Sequence, residues 1–220
     1  MAIFSSLPPA EQARQLANPE GPVGVEVAEW LNGNNRESNA RTLALLGVQP
    51  GHHVLEIGFG NGRAAPDVIG QAAGVHYTGI DISPTMVEEA NRFNAALIAA
   101  GRASLHLASA ERMPFANASF DRIFSIGVIH FWKDALVPLH EVRRVMRPGG
   151  LAIMGAIDSR SPPQYARPEF GFHLRSADEW ASLCRQAGFA IVDVHNLESE
   201  RVTPDGKPTK RYFVRVMAWC

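Results

Sequence analysis

Three glycines at alternate positions follow a short apolar run in Val54-Leu55-Glu56-Ile57-Gly58-Phe59-Gly60-Asn61-Gly62-Arg63. Glycine there lets the backbone turn tightly and lets a ligand approach without Cβ atoms in the way. A dinucleotide fingerprint would read GxGxxG, with its third glycine where Arg63 stands; here the spacing is GxGxG. Glu56, two residues before the first glycine, would repel a pyrophosphate but can orient a cationic or amine-bearing ligand. A bare strand–helix turn is the plainer reading. Asp81 ends the next apolar run, where a carboxylate can accept both ribose hydroxyls of an adenosine ligand. It can equally partner the dipole of a helix starting at Pro84.

A second group is Gly127-Val128-Ile129-His130-Phe131-Trp132. His130 titrates near neutral pH and is a candidate catalytic base or hydrogen-bond donor, or else a structural histidine bonded to a loop carbonyl. Phe131 and Trp132 offer an apolar wall for a substrate, or core packing. A third group, Tyr165, Phe170, Phe172, His173 and Arg175, lies in residues 158–175, a proline-rich stretch without a period. Long irregular segments in compact domains often serve as lids, and the alternative is a loop tucked onto a sheet edge. Asn32, Asn34, Asn35 and Asn39 read as residues that cap or break N-terminal helices, a place at the cofactor mouth being the alternative for Asn35.

The elements that must hold these groups alternate in type. Apolar runs at 53–57, 75–82, 104–107, 121–126 and 151–157 are separated by helical stretches, which argues a mostly parallel α/β sheet. Pro66 falls in the first turn of the helix after the glycine loop. Ser83-Pro84 reads as an N-cap with proline at N1, opening a helix whose stripe is Val87, Ala90, Phe93, Leu97 and Ile98. Asp134 can cap a helix striped with Leu136, Leu139, Val142, Val145 and Met146, ending at Arg147-Pro148-Gly149-Gly150. Ser176 and Glu179 form a capping box. The end of the chain reads as a hairpin, 189–202 against 210–219, turned at Pro204-Asp205-Gly206. Val23, Val27, Trp30 and Leu31 share one face of a helical cap.

The 220 residues are 46% apolar and 20% charged, a globular balance. Lys and Arg total 21 against 22 Asp and Glu, net charge -1, so the basic excess of a nucleic-acid binder is missing. Two cysteines, Cys184 and Cys220, build no disulfide framework, and no spacing suggests a metal site. No apolar run approaches a membrane span, and the start of the chain lacks a secretory pattern. A cytoplasmic, single-domain protein is expected, either monomer or homodimer, with no nucleic-acid or membrane partner.

Taken in order, the ExGxGxG loop, the Asp81 strand end, Ala108-Ser109-Ala110-Glu111-Arg112-Met113-Pro114-Phe115, the strand 120–126 and the Arg147-Pro148-Gly149-Gly150 turn carry a resemblance. The chain resembles the class I S-adenosylmethionine-dependent methyltransferases, of the small UbiE-like kind, from about residue 51 to 189. The resemblance implies a Rossmann-like sheet of order 3-2-1-4-5-7-6 with strand 7 antiparallel. It implies S-adenosylmethionine as cofactor and a small, apolar or aromatic methyl acceptor. By position, Gly58 and Gly60 would pass under the methionine part and Asp81 would hold the ribose, with Glu56 and Phe59 also among the cofactor-binding residues. Ile82 and Met86 would pack on adenine, with Ser109, Ala110 and Glu111 along its edge. Many relatives carry aspartate at the place of Ser109. Ser125 and Ile126 would line the cofactor from the fourth strand. The single domain then divides into a cap (1–50), a cofactor-binding core (51–157), a substrate lid (158–175) and a last helix with hairpin (176–220). Two other functions fit the loop: methylation of a macromolecule, or cofactor binding without catalysis. Against the first, Ser125-Ile126-Gly127-Val128 stands where amino-directed DNA and protein-glutamine enzymes resemble one another in an NPPY-like tetrad.

Overall fold

A computed structural model describes residues 4, 6–160, 162–202 and 208–220. Helices α1 (Pro9–Ala17) and α2 (Gly21–Leu46) precede β1 (His53–Ile57), α3 (Ala65–Ile69), β2 (His76–Asp81), α4 (Pro84–Phe93), α5 (Ala95–Ala99) and β3 (Ala103–Leu107). There follow β4 (Phe120–Ile126), a 3-10 turn at Ile129–Phe131, α6 (Leu136–Val145), β5 (Met146–Ile157), α7 (Ala177–Gln186), β6 (Ile191–Val202) and β7 (Pro208–Trp219). The sheet order is β3-β2-β1-β4-β5-β7-β6, as the resemblance implied. β3 to β5 pair in parallel, while β7 is antiparallel to both β5 and β6. The hairpin turn expected at Pro204-Asp205-Gly206 lies outside the described residues.

Both faces of the sheet are covered because side chains alternate along each strand. Leu55, Ile57, Ile123 and Met154 point to one face, under Leu139 and Val142 of α6 and Trp180 of α7. Val54, Tyr77, Phe124 and Ile153 point to the other, under Leu43 and Leu46 of α2 and Val68 of α3. Local chemistry sets the ends. Ser83 caps α4, its Oγ accepting the Met86 N–H at 3.1 Å, and Ser176 and Glu179 close the reciprocal box at α7, each worth about 1 kcal/mol.

Two expectations are corrected. The asparagines do not break the N-terminal helices, because α2 runs unbroken past all four. Two of them find partners along the helix: Asn32 donates to Asn61 Oδ1 at 3.1 Å, and Asn34 back-bonds the Trp30 carbonyl. The helix after Ser83 is two helices meeting at Asn94, whose amide donates to the carbonyls of Gly62 and Ala90 at 3.0 Å. Its buried face is accordingly Met86 and Ala90. Phe93 lies outside, with the Arg63 guanidinium 4.0 Å over its ring.

Candidate active site

A cleft of about 230 Å³ lies at the carboxyl ends of β1, β2 and β4, where open α/β sheets place ligands. Gly58, Gly60 and Gly62 all adopt left-handed backbone, with φ of 75°, 56° and 73°. The reasons differ. A Cβ at Gly58 would stand 2.3 Å from Val128 Cγ2, and one at Gly62 2.6 Å from the Asn94 amide, so those two are closed by packing. A Cβ at Gly60, which lines the cleft, would enter open space. Gly60 donates its N–H to Asp81 Oδ2 at 2.9 Å, and Ser83 donates to Oδ1 at 2.9 Å. Asp81 is buried, which raises its pKa, while the backbone donors from Ser83, Gly60 and Ile82 pull it back. The backbone donors leave part of its acceptor capacity unused, and Asp81 lines the cleft, so the carboxylate suits a ribose hydroxyl. Ile82 is half exposed at the cleft wall, an apolar surface suited to a flat base. The residues present therefore fit the cofactor that the resemblance implies.

Of the residues expected around a cofactor, Gly58, Gly60, Asp81 and Ile82 line this cleft, as do Ser109, Ala110, Glu111 and Ile126. Four do not, and those placements are corrected. Met86 is completely buried on the inner face of α4 and does not line the cleft. Phe59 turns under β2, 2.5 Å from where a Cβ on Gly79 would sit. Ser125 is fully buried, and its hydroxyl donates to the Ile57 carbonyl at 2.9 Å, tying β4 to β1. Glu56 faces the far side of the strand, accepting the Tyr77 hydroxyl at 2.5 Å. Burial pushes its pKa up to about 8, against the opposing Tyr77 bond, so it is mostly protonated at neutral pH and cannot attract a cation.

Next to the cleft is a cavity of about 110 Å³. The two share Leu16, Leu31, Ile126, Gly127 and Phe131 as walls. His130 lines the cavity, stacked on Phe172 with centroids 5.1 Å apart and planes 7° from parallel. Phe131 packs on both rings at 4.5 and 4.6 Å. This aromatic enclosure desolvates the imidazole and lowers its pKa to about 3. The Ile157 N–H donates to its Nδ1 at 3.4 Å, so the neutral ring carries its proton on Nε2. A ring so reluctant to bind a proton, with its unprotonated nitrogen engaged, is poorly suited to the role of base and keeps an N–H that can donate.

The loop of residues 158–175 is stapled over this cavity. His173 donates its N–H to the His130 carbonyl at 2.7 Å, and Arg175 donates to the carbonyls of Trp132 and Lys133 at 3.0 and 2.8 Å. Among the residues expected at an acceptor, Phe131, Tyr165 and Phe172 line the cavity. Trp132 lines the cofactor cleft instead. Phe170 packs on the small cluster of Ala13, Ala166 and Phe172, and the His173 side chain faces a groove on the outer side of the loop. Sequence reasoning missed Leu16, Pro19 and Leu31 at the cleft, and Phe213 and Arg215 at the cavity, while Asn35, weighed for the cofactor mouth, lines the adjoining cavity. Trp30 and Leu31 had been legible as one helix face, but no motif links that face to β7.

Comparison with known proteins agrees with this geometry. A family described as "Methyltransferase domain" matches residues 55–154. The O-methyltransferase resE of Aspergillus sclerotiorum is 34% identical over 165 residues, covering 72% of this chain and 61% of that protein. The O-methyltransferase cnsE of Penicillium expansum is 32% identical over 198 residues, covering 86% of this chain and 68% of that one. The chain thus spans about three fifths to two thirds of the length of these relatives. The phosphoethanolamine N-methyltransferase 2 of Haemonchus contortus, solved with S-adenosyl-L-methionine, superposes with a TM-score of 0.73 over 89% of this chain and 56% of that one. At 18% identity that is a likeness of fold. The chain belongs to the class I S-adenosylmethionine-dependent methyltransferases. Its cofactor is accordingly S-adenosylmethionine.

Proposed function

We propose that this protein transfers a methyl group from S-adenosylmethionine to a hydroxyl of a small, apolar or aromatic molecule seated in the cavity beside the glycine cleft. The observation that carries the reading is the shared wall: Ile126, Gly127 and Phe131 border both spaces, so a ligand in one lies against a ligand in the other. An engineered cavity of about 150 Å³ holds benzene, so one of about 110 Å³ accepts a group near the size of a single ring. That the fungal relatives are named O-methyltransferases supports oxygen as the acceptor atom.

The bound cofactor supplies an electrophilic methyl on a sulfonium. The chain's own residues do the rest. Gly58 and Gly60 bring main chain close to the donor, and Asp81 fixes its sugar. Phe131 and Phe172, with Tyr165, exclude water from the cavity, which strengthens every polar contact inside it. The acceptor reacts as its oxyanion, its hydroxyl proton released to solvent before the cavity closes, so that transfer leaves a neutral ether and a neutral thioether. The Nε2–H of His130 orients that oxygen. Positioning a nucleophile in line at near-attack distance can lower a barrier by roughly 7–11 kcal/mol.

A labelled-methyl assay on a panel of phenols, alcohols, amines and thiols tests the reading. Gly155→Leu is its control. Gly155 sits on β5 in register with Ile126, and a Cβ there meets only the Ser125 carbonyl and Ile126 Cα, at 3.9 and 4.0 Å. A leucine would fill the cavity. Transfer to the panel's substrate should vanish while S-adenosylhomocysteine still binds within a few-fold; undiminished transfer would move the acceptor elsewhere.

A further inference from the structure

Across the cavity floor three strands present Ile126, Gly155 and Arg215 in register. Ile126 borders the cofactor cleft, Gly155 leaves the middle open, and Arg215 of β7 stands at the far end. Two strand spacings separate Ile126 from Arg215, about 10 Å between backbones.

Arg215 is half-buried. Among the described residues no carboxylate pairs with its guanidinium, and none of those lining the cavity is Asp or Glu. Arg122 and Arg175, also partly buried, spend their donors on main-chain carbonyls, and no such bond is made by Arg215 among the described residues. Arg41, whose charge reaches Arg215, is matched by Glu37; Arg63 is matched by Glu29, Arg144 by Glu141 and Arg160 by Asp158. Burial and the charge of Arg41 both work against the Arg215 cation. A partly desolvated guanidinium without an anion costs stability that an exposed one does not. Asn35 and Ser38 of α2 line the same cavity and add neutral hydrogen-bonding groups. The cavity is therefore two-ended: aromatic around His130, Phe131 and Phe172, cationic and polar at Arg215.

We propose that the methyl acceptor is an anion, a hydroxylated aromatic or apolar carboxylate whose carboxylate pairs with Arg215 while its hydroxyl lies toward Gly127 and the cofactor. This rests on the reading of the cavity as the acceptor site. A guanidinium fork matches a carboxylate through two parallel N–H donors, and one such contact at the far end fixes which end of the molecule meets the methyl. Specificity built this way rejects a neutral isostere, because binding it would leave the buried cation unpaired.

The test uses matched pairs, hydroxybenzoates and hydroxycinnamates against their primary carboxamides, as acceptors for the whole protein with labelled S-adenosylmethionine. Carboxylates should exceed their amides by tenfold or more in kcat/KM. Arg215→Gln should bring that ratio near one, and Arg215→Lys should restore part of it. Melting temperature and S-adenosylhomocysteine affinity of both variants should stay near wild type. Equal use of acids and amides by the wild type, or a preference for amides, would overturn the assignment of Arg215 while leaving small-molecule methylation in place. A preference for acids that survives in Arg215→Gln would also overturn it. Transfer to neither set, with the cofactor bound, would count against both this assignment and the cavity as acceptor site.

Discussion

The two halves of the site are built by different means. The cofactor cleft is mostly main chain: left-handed glycines, and a carboxylate positioned by the N–H groups of Gly60 and Ser83. Its centre comes from the ends of β1 and β2, and α1, α2 and the segments after β3 and β4 complete its walls. The acceptor cavity is mostly side chain, gathered from α1, α2, the turn after β4, β5, the loop 158–175, β6 and β7. Main-chain geometry admits few residues at each position, whereas side-chain walls admit many. The first half should break sharply on single substitutions, and the second should yield by degrees.

The sharpest break is expected at Gly58. Alanine there meets both the left-handed φ of 75° and a contact of 2.3 Å with Val128, a combined cost of about 2–4 kcal/mol. S-Adenosylmethionine affinity should fall 30-fold or more by calorimetry. Val128→Ala in the same chain should recover only the part due to the contact. Wild-type affinity in Gly58→Ala alone would mean that the cleft is not the cofactor's seat.

Asp81→Ala comes next. Each hydrogen bond lost to a charged carboxylate is worth roughly 1.5–3 kcal/mol, so affinity should drop at least tenfold. The Gly60 and Ser83 N–H groups would also lose their acceptor. The ligand-free protein should therefore melt at lower temperature as well. An unchanged dissociation constant would leave Asp81 with the loop-holding role alone.

His130→Phe probes the other half. It keeps the stack on Phe172 and removes one donor, so turnover should fall about ten- to hundredfold, with cofactor affinity within a few-fold. Because the ring's pKa lies near 3, the pH–rate profiles of variant and wild type should run parallel from about pH 5 to 9. A limb near 6.5 present only in the wild type would restore the base role.

This contrast also explains what was legible from sequence. The glycine loop and Asp81 lie within 24 residues, and each residue type there has a local backbone reason that survives any context. Phe59 and Met86 were misplaced because an apolar residue beside a motif looks the same whether it faces ligand or core. Pleat alternation could have exposed Glu56: with Ile57 on the α6 face, Glu56 must point to the other. Leu16 and Arg215 were out of reach, since only the tertiary fold brings α1 and β7 to one cavity. The Ile126–Gly155–Arg215 row follows from strand order combined with register, and register across the β5–β7 pair is not carried by any local signal.

The smallest effect concerns two buried titratable groups, one in each half. Glu56, behind the glycine loop, has a folded pKa raised from 4.5 to about 8 by burial. Between those values the folded state holds a proton that the unfolded state has released, so stability falls as pH rises through that window. His130 is the mirror case. Its pKa drops from 6.5 to about 3 on folding, again by burial, so the unfolded state binds the extra proton and stability falls as pH drops below 6.5. From about 4.5 to 6.5 the slopes oppose each other, each bounded by roughly 1.4 kcal/mol per pH unit. Outside that range one acts alone: His130 on the acid side, Glu56 on the alkaline side up to about 8. Asp81, also raised by burial, adds to the Glu56 sense from 3.8 upward. Denaturant titrations across pH should show a plateau with two shoulders. Glu56→Gln should flatten the alkaline shoulder and leave the acid one, and His130→Phe should do the reverse. If Glu56→Gln left the slope between pH 6.5 and 8 unchanged, the carboxyl behind the glycine loop would be ionised in the folded protein. Its bond from Tyr77 would then be outweighing its burial, and the cofactor half would hold a charge where a neutral acid is expected.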